Sequence, residues 1–127
     1  CLIHDLGEAF TGDIPSFDKS AADEEMESHL LSDWAASLPE PFATEMTALY
    51  AEMDALESTE AKIYKALDNM EALIQHNEAD LSTWIPLEYE LQMTYGTDKA
   101  AFSDYLTALR DTVREDSKQK IENAEAK

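Results

Sequence analysis

The sequence predicts an all-α protein. Its 127 residues include only three Gly and four Pro, and good helix formers such as Ala, Leu, Glu, Met and Lys are prominent. Apolar residues recur three and four positions apart over most of the chain. There are no internal repeats and no linker-like segment, so we expect one domain over 1–127, with its core over about 1–113.

The first third of the chain is predicted to hold a helix end, a loop and a second helix. Residues 1–11 carry apolar side chains at helical spacing, and a loop over 12–19 follows them. Either Ser20 or Asp23 can cap the second helix, which is predicted to run to about Ser37.

Two longer helices are predicted in the middle of the chain. One covers roughly 41–56, and the next runs from Ser58 to about His76 before a packed loop over 77–85. The apolar residues of the second of these helices form one stripe, which comprises Ile63, Leu67, Met70 and Ile74.

The C-terminal third is predicted to hold a short helix and a longer one. The short helix, about 86–95, ends at Gly96, where a left-handed cap is expected. The last helix begins near Thr97, and its apolar face comprises Phe102, Tyr105, Leu106, Leu109 and Val113. Ile121 is the only large apolar residue in 114–127, so this tail is predicted to fray.

Composition and charge narrow the possible partners and the compartment. The formal net charge of −19 argues against a nucleic-acid polymer as partner, because no basic stripe offsets it. No apolar run approaches the length of a membrane span, and no signal-peptide pattern is present. The single cysteine, Cys1, favours a reducing compartment, so we expect a cytoplasmic protein.

Four side chains suited to metal binding or proton transfer lie close together near the start of the chain. They are His4, Asp5, Glu8 and Asp13. On a helix Glu8 returns to nearly the same face as His4, and such a set suits a divalent cation that activates water. The alternative is a hydrogen-bonded histidine beside solvated carboxylates.

Asp68 is the second carboxylate of interest. It lies nearly opposite the apolar stripe of its helix, so periodicity alone predicts a solvent-facing side chain. Ala61 and Ala72 on that side are small enough to admit another helix, which leaves a role as a metal ligand open.

The segments 4–15 and 65–71 together resemble the HD-domain phosphohydrolase superfamily, most closely its 5'-deoxynucleotidase-like branch. The segments are His-Asp-Leu-Gly-Glu-Ala-Phe-Thr-Gly-Asp-Ile-Pro and Lys-Ala-Leu-Asp-Asn-Met-Glu, and the resemblance extends to about Gly96. It implies an HD-type helical bundle. We expect that natural sequence with the first helices precedes Cys1, which would make this chain an N-terminally truncated HD domain.

The resemblance also implies roles for individual residues. His4, Asp5 and Asp68 match ligands of a divalent metal, which can be Mn, Co, Mg, Fe, Ni or Zn, while a further family ligand, an upstream His, has no counterpart here. Glu8 matches a carboxylate that acts in acid/base catalysis or water positioning, and Asp13 one that orients water or substrate.

The implied function is metal-dependent hydrolysis of deoxynucleoside 5'-monophosphates with release of phosphate, in a protein that is expected to be a homodimer. Lys19 and Lys65 are the nearest candidates for binding the phosphate, although both also suit a surface position.

Because one imidazole ligand is missing, we expect this chain to be weakly active. The alternatives are an HD hydrolase acting on another small phosphoester or a nucleoside triphosphate, and a non-catalytic helical binding or oligomerisation module.

Overall fold

The regular elements of the protein are helices. The computed structural model describes residues 1–15 and 18–127, and throughout these residues it contains helices and turns but no strands. The all-α prediction is therefore confirmed. The chain divides into two compact units, Cys1–Glu57 and Ser58–Lys127. The expectation of a single domain over both units stays a prediction.

The described residues of the first unit form three helices: α1 (Glu8–Thr11), α2 (Ala21–Ser37) and α3 (Phe42–Ala55). Ser20 caps α2, because its hydroxyl accepts from the N–H of Asp23 while the Asp23 carboxylate accepts from the N–H of Ser20. This reciprocal capping box decides between the two predicted caps. The preceding loop includes residues 16 and 17, which lie outside the described residues.

The helix predicted over 1–11 is wrong for its first seven residues. They form successive turns, in which the N–H groups of His4 and Leu6 donate to the carbonyls of Cys1 and Ile3, three residues back. No four-residue helical ladder precedes α1. The expected apolar face is not buried either, since Leu2 is fully exposed and Phe10 is nearly half exposed.

Helices α2 and α3 pack against each other, and their buried residues are small. Ala35 on α2 and Ala43 on α3 are buried, whereas the larger Met26, Phe42 and Leu49 are about half exposed. The described part of this unit therefore buries little apolar surface.

The second unit contains α4 (Thr59–Glu78), a 3₁₀ turn (Leu81–Thr83), α5 (Pro86–Thr94), α6 (Thr97–Ala100) and α7 (Asp104–Glu125). Helix α7 packs against the other three helices. The predicted bounds of α4 and α5 agree with the structure to within about one turn. No helix in the described parts of the chain has the length and apolar character that crossing a membrane requires.

The predicted last helix is two helices in the structure. Gly96 has a φ of 74°, as expected for a left-handed cap, and α6 ends at Ala100. A new helix then begins after Ser103, whose hydroxyl accepts from the N–H of Leu106. This local cap interrupts an apolar pattern that otherwise looks continuous.

The predicted fraying of residues 114–127 is also wrong, because α7 continues to Glu125. Ser117 is fully buried and donates to the Asn77 side chain at 3.0 Å. The Lys120 ammonium donates to the carbonyls of Asn77 and Ala79 at the end of α4, where a cation is favoured by the helix dipole. Polar contacts of Ser117 and Lys120 therefore help to hold this segment in place.

The buried face of α4 is rotated from the predicted stripe. Its buried residues are Ala61, Ala66, Asn69, Met70 and Leu73. Met70 and Leu73 pack with Val113 of α7, and Ala66 packs with Ala100 and Leu106. Of the predicted stripe, Ile63 and Leu67 are 39% and 42% exposed. Small and polar residues face the neighbouring helices here, which apolar periodicity alone does not detect.

Two buried polar side chains join α5 to α4 and α7. The Gln92 amide donates to the carbonyl of Leu73 at 2.8 Å and to the Ser117 hydroxyl at 2.9 Å. The Arg110 guanidinium donates to the carbonyls of Tyr95 and Gln92. The two Arg110 bonds satisfy carbonyls at the C-terminal end of α5, where the last carbonyls lack partners within the helix.

Candidate metal and phosphate site

The turn over 1–7 places the His4 ring beside the Asp5 carboxylate. His4 Nδ1 donates to the carbonyl oxygen of Cys1 at 2.6 Å. His4 Nε2 lies 3.0 Å from Asp5 Oδ2, and the imidazole is mostly buried while the carboxylate is exposed. The hydrogen bond to Cys1 orients the ring, as a backbone carbonyl commonly does for a metal-binding histidine.

This pair suits a divalent cation. In the neutral tautomer with its proton on Nδ1, the lone pair is on Nε2, which faces another acceptor, the Asp5 oxygen. Two acceptors at 3.0 Å repel each other unless a proton or a cation interacts with both. Neighbouring ligand atoms of an octahedral ion with bonds of about 2.1 Å are about 3.0 Å apart. His4 and Asp5 therefore match two adjacent positions of a coordination sphere.

Glu8 is the first residue of α1, and its N–H donates to the Asp5 carbonyl at 2.9 Å. Burial raises the pKa of its carboxyl group above the usual value, and negative charges nearby raise this pKa further. Those charges belong to Asp5, Asp13 and Glu27, while Lys19 acts in the opposite direction. Glu8 therefore retains its proton to a higher pH than an ordinary glutamate.

Gly12 ends α1 and turns the chain toward Asp13. Its N–H donates to the Glu8 carbonyl at 2.7 Å, and its φ of 85° lies in the region that favours glycine. The predicted helix stop is confirmed. Asp13 follows as an exposed residue whose charge acts on Glu8.

Lys19 forms an ion pair with Glu27 in the first unit. Its Nζ lies 2.5 Å from Glu27 Oε2, and the two side chains are only 16% and 17% exposed. The hydrogen bond to Glu27 is the main cause that raises the Lys19 pKa, so the ammonium keeps its charge at neutral pH. Lys19 is therefore not the freely solvated surface charge that was one of its two predicted roles.

Glu27 is a site residue that the sequence reasoning missed. Gly7, between Asp5 and Glu8, is buried, and a Cβ atom there would lie 2.7 Å from Glu27 Cγ. The absence of a side chain at Gly7 lets Glu27 approach the turn that carries His4. In the sequence, the indication of this close approach is the glycine within the His-Asp segment.

The other two candidates lie on α4 in the second unit. Asp68 is 31% exposed and Lys65 is 34% exposed, and Lys65 Nζ is 3.4 Å from Asp68 Oδ2. Asp68 is thus partly buried rather than fully solvent-facing, and Ala61 on the same helix is buried. Its inclusion among the metal ligands stays a prediction.

The HD domain family model matches residues 1–110, so the chain belongs to the HD domain family. The predicted resemblance is confirmed.

Among characterised proteins the chain is similar to 5'-deoxynucleotidase HDDC2. It is 33% identical to the Bos taurus and Homo sapiens proteins over 79 residues, which are 61% of this chain. The matched segment spans 38% and 39% of those two relatives, respectively. No solved structure significantly matches the chain.

Proposed function

We propose that this protein is a metal-dependent phosphohydrolase that converts deoxynucleoside 5'-monophosphates to deoxynucleosides and phosphate. The observation that carries the proposal is the pairing of His4 Nε2 with Asp5 Oδ2 at 3.0 Å on a ring anchored through Nδ1. Membership of the HD domain family and the name of the similar proteins support the reaction and the substrate class.

His4 and Asp5 hold the cation in this proposal, and Asp68 is the third ligand on the strength of the family resemblance. A divalent cation acts as a Lewis acid, and it lowers the pKa of the water molecule that it binds toward neutrality. Imidazole nitrogen and carboxylate oxygen suit several first-row ions, so the ligand set is compatible with Mn, Co, Fe, Ni or Zn as well as Mg.

Glu8 delivers a proton to the leaving 5'-oxygen. Its raised pKa favours this role, since a general acid must still hold its proton near the working pH. Asp13, exposed on the adjoining loop, orients the attacking water or the sugar.

Lys19 binds the substrate phosphate, and Lys65, which is paired with Asp68, is the weaker candidate. A phosphate dianion requires positive charge in a chain whose net charge is −19. We further propose that the protein is a cytoplasmic homodimer that binds neither nucleic-acid polymers nor membranes.

The test is phosphate release from a panel of nucleoside mono- and triphosphates with Mn, Co or Mg, combined with elemental analysis. We expect orthophosphate from deoxynucleoside monophosphates, and we expect His4→Ala to lower both metal content and activity at least about tenfold. His29→Ala is the matched control, because His29 is an exposed histidine on α2.

Other outcomes discriminate the alternatives. Pyrophosphate as the product would identify a triphosphate hydrolase instead. A protein that releases no phosphate and whose metal content is unchanged by His4→Ala would refute the proposal and favour a non-catalytic helical module.

A further inference from the structure

We propose that Glu27 is a positioning residue that holds the Lys19 ammonium in place to receive the phosphate of the substrate. This inference rests on the proposed function, because the ligand is the phosphate of that reaction. Glu27 itself is not expected to contact the substrate.

The first argument is the geometry of the ion pair. Lys19 Nζ lies 2.5 Å from Glu27 Oε2, and both side chains are largely removed from solvent. An ammonium group has three donors, so an ion pair with one carboxylate oxygen leaves donors that can bind phosphate oxygens. A lysine that is already ordered also loses less side-chain entropy when the ligand binds.

The second argument is that the backbone of both partners is fixed. Lys19 directly precedes Ser20, the residue whose capping box starts α2. The Lys19 N–H donates to the Pro15 carbonyl at 3.0 Å, and Glu27 lies within α2, two helical turns after the cap. The pair is therefore mounted on the beginning of one helix.

The third argument is the contact between Glu27 and Gly7. Only a residue without a side chain allows Glu27 Cγ to come so close to the turn that carries His4 and Asp5. This contact ties the ion pair to the candidate metal turn within the same unit. The ion pair is thus in contact, through Gly7, with the turn that carries His4 and Asp5.

The fourth argument is competition among carboxylates. The carboxylates of Glu8 and Glu24 also attract the Lys19 ammonium electrostatically. Without Glu27, the flexible lysine could turn toward either of them and away from the ligand. A single short ion pair selects one direction for the ammonium.

The experiment measures binding of inorganic phosphate to the full chain by calorimetry, together with KM and kcat for a deoxynucleoside monophosphate. We expect Glu27→Ala and Lys19→Ala each to raise the phosphate Kd and the KM about tenfold while kcat changes less than about twofold. The double variant should be no worse than Lys19→Ala, since both changes remove one interaction.

Two further variants separate positioning from general stability. Glu27→Gln keeps an oxygen acceptor for Lys19, so we expect it to restore most of the affinity that Glu27→Ala loses. Glu25→Gln removes the same charge from an exposed position on α2 and should leave Kd and KM unchanged. Metal content and the circular dichroism spectrum should match the wild type in all variants.

The inference is overturned if Glu27→Ala leaves the phosphate Kd unchanged, if the two single effects add in the double variant, or if the wild type binds no phosphate. If the wild type hydrolyses the substrate but the variants bind phosphate with an unchanged Kd, the inference is overturned and the proposed function is not. Phosphate binding that follows the expected pattern without any hydrolysis would refute the proposed function and would leave only the role of Glu27 in holding Lys19 for a phosphate ligand.

Discussion

Replacing Arg110 by Met tests whether the buried guanidinium stabilises the second unit. Arg110 is 1% exposed, and its Nε and Nη2 donate to the carbonyls of Tyr95 and Gln92 at 2.9 and 2.7 Å. Methionine retains much of the apolar stem but has no donor, so both carbonyls at the end of α5 would lose their partner.

The size of the effect follows from two opposing contributions. Two hydrogen bonds from a charged donor contribute about 1.5–3 kcal/mol each, which gives about 3–6 kcal/mol. Burial lowers the Arg110 pKa, which shows that the charged form is penalised, and Nη1 has no partner among the described residues. Methionine removes that penalty, so we expect a net loss of about 2–4 kcal/mol in the free energy of unfolding.

The assay is urea denaturation followed by the fluorescence of Trp84, in a Trp34→Phe background so that the signal reports the second unit. With a slope near 2 kcal/mol/M, the midpoint should fall by about 1–2 M. Lys118→Met is the control, because it removes the same charge from an exposed position of α7. A fall in stability no larger than that of the control would refute this reasoning. The two hydrogen bonds would then only offset the free-energy cost of burying the guanidinium.

Three further predictions concern single residues. Gly96→Ala should lower the urea stability by about 1–3 kcal/mol, because φ is 74° and the new Cβ would lie 3.0 Å from Asn69 Cβ; an unchanged midpoint would contradict this. Ser20→Ala should cost about 1 kcal/mol by removing the α2 cap, as measured by thermal unfolding, and Ser28→Ala, at an exposed α2 position, serves as its control. Glu8→Gln should stabilise the metal-free protein at neutral pH, since a raised folded-state pKa means that ionised Glu8 opposes folding. That gain should vanish in acid, where Glu8 is protonated, and a gain independent of pH would refute the electrostatic cause.

Local sequence signals predicted the helices well where a cap lies next to the helix. Ser20 and Ser58 each accept a bond from an N–H three residues later, an interaction that is visible in the sequence itself. Gly12 and Gly96 were recognised for the same reason, since both have the positive φ expected at those positions. The HD family was likewise evident from contiguous residues.

Predictions failed where polar residues are buried. Ser117 and Lys120 make the tail of α7 look solvated, yet their partners are in and after α4, about 40 residues earlier in the chain. The same difficulty shifted the predicted face of α4, where Asn69 is buried and Leu67 is not. Apolar periodicity carries no information about either case, because it records only the spacing of apolar side chains and not which polar side chains are buried.

The sequence by itself determined the helical class, most helix bounds, the family and the order of the candidate site residues, because each depends on interactions within a few positions of the chain. Only the tertiary structure decided that His4 Nε2 faces Asp5, that Lys19 pairs with Glu27, and that Gly7 makes room for this glutamate. The Gly7 contact depends on how α2 packs beside the first turn, whereas the other two pairs depend on side-chain directions within one turn and at the start of one helix. A side chain's partner across such a contact is selected by distance in space, which the spacing of residues along the chain does not encode.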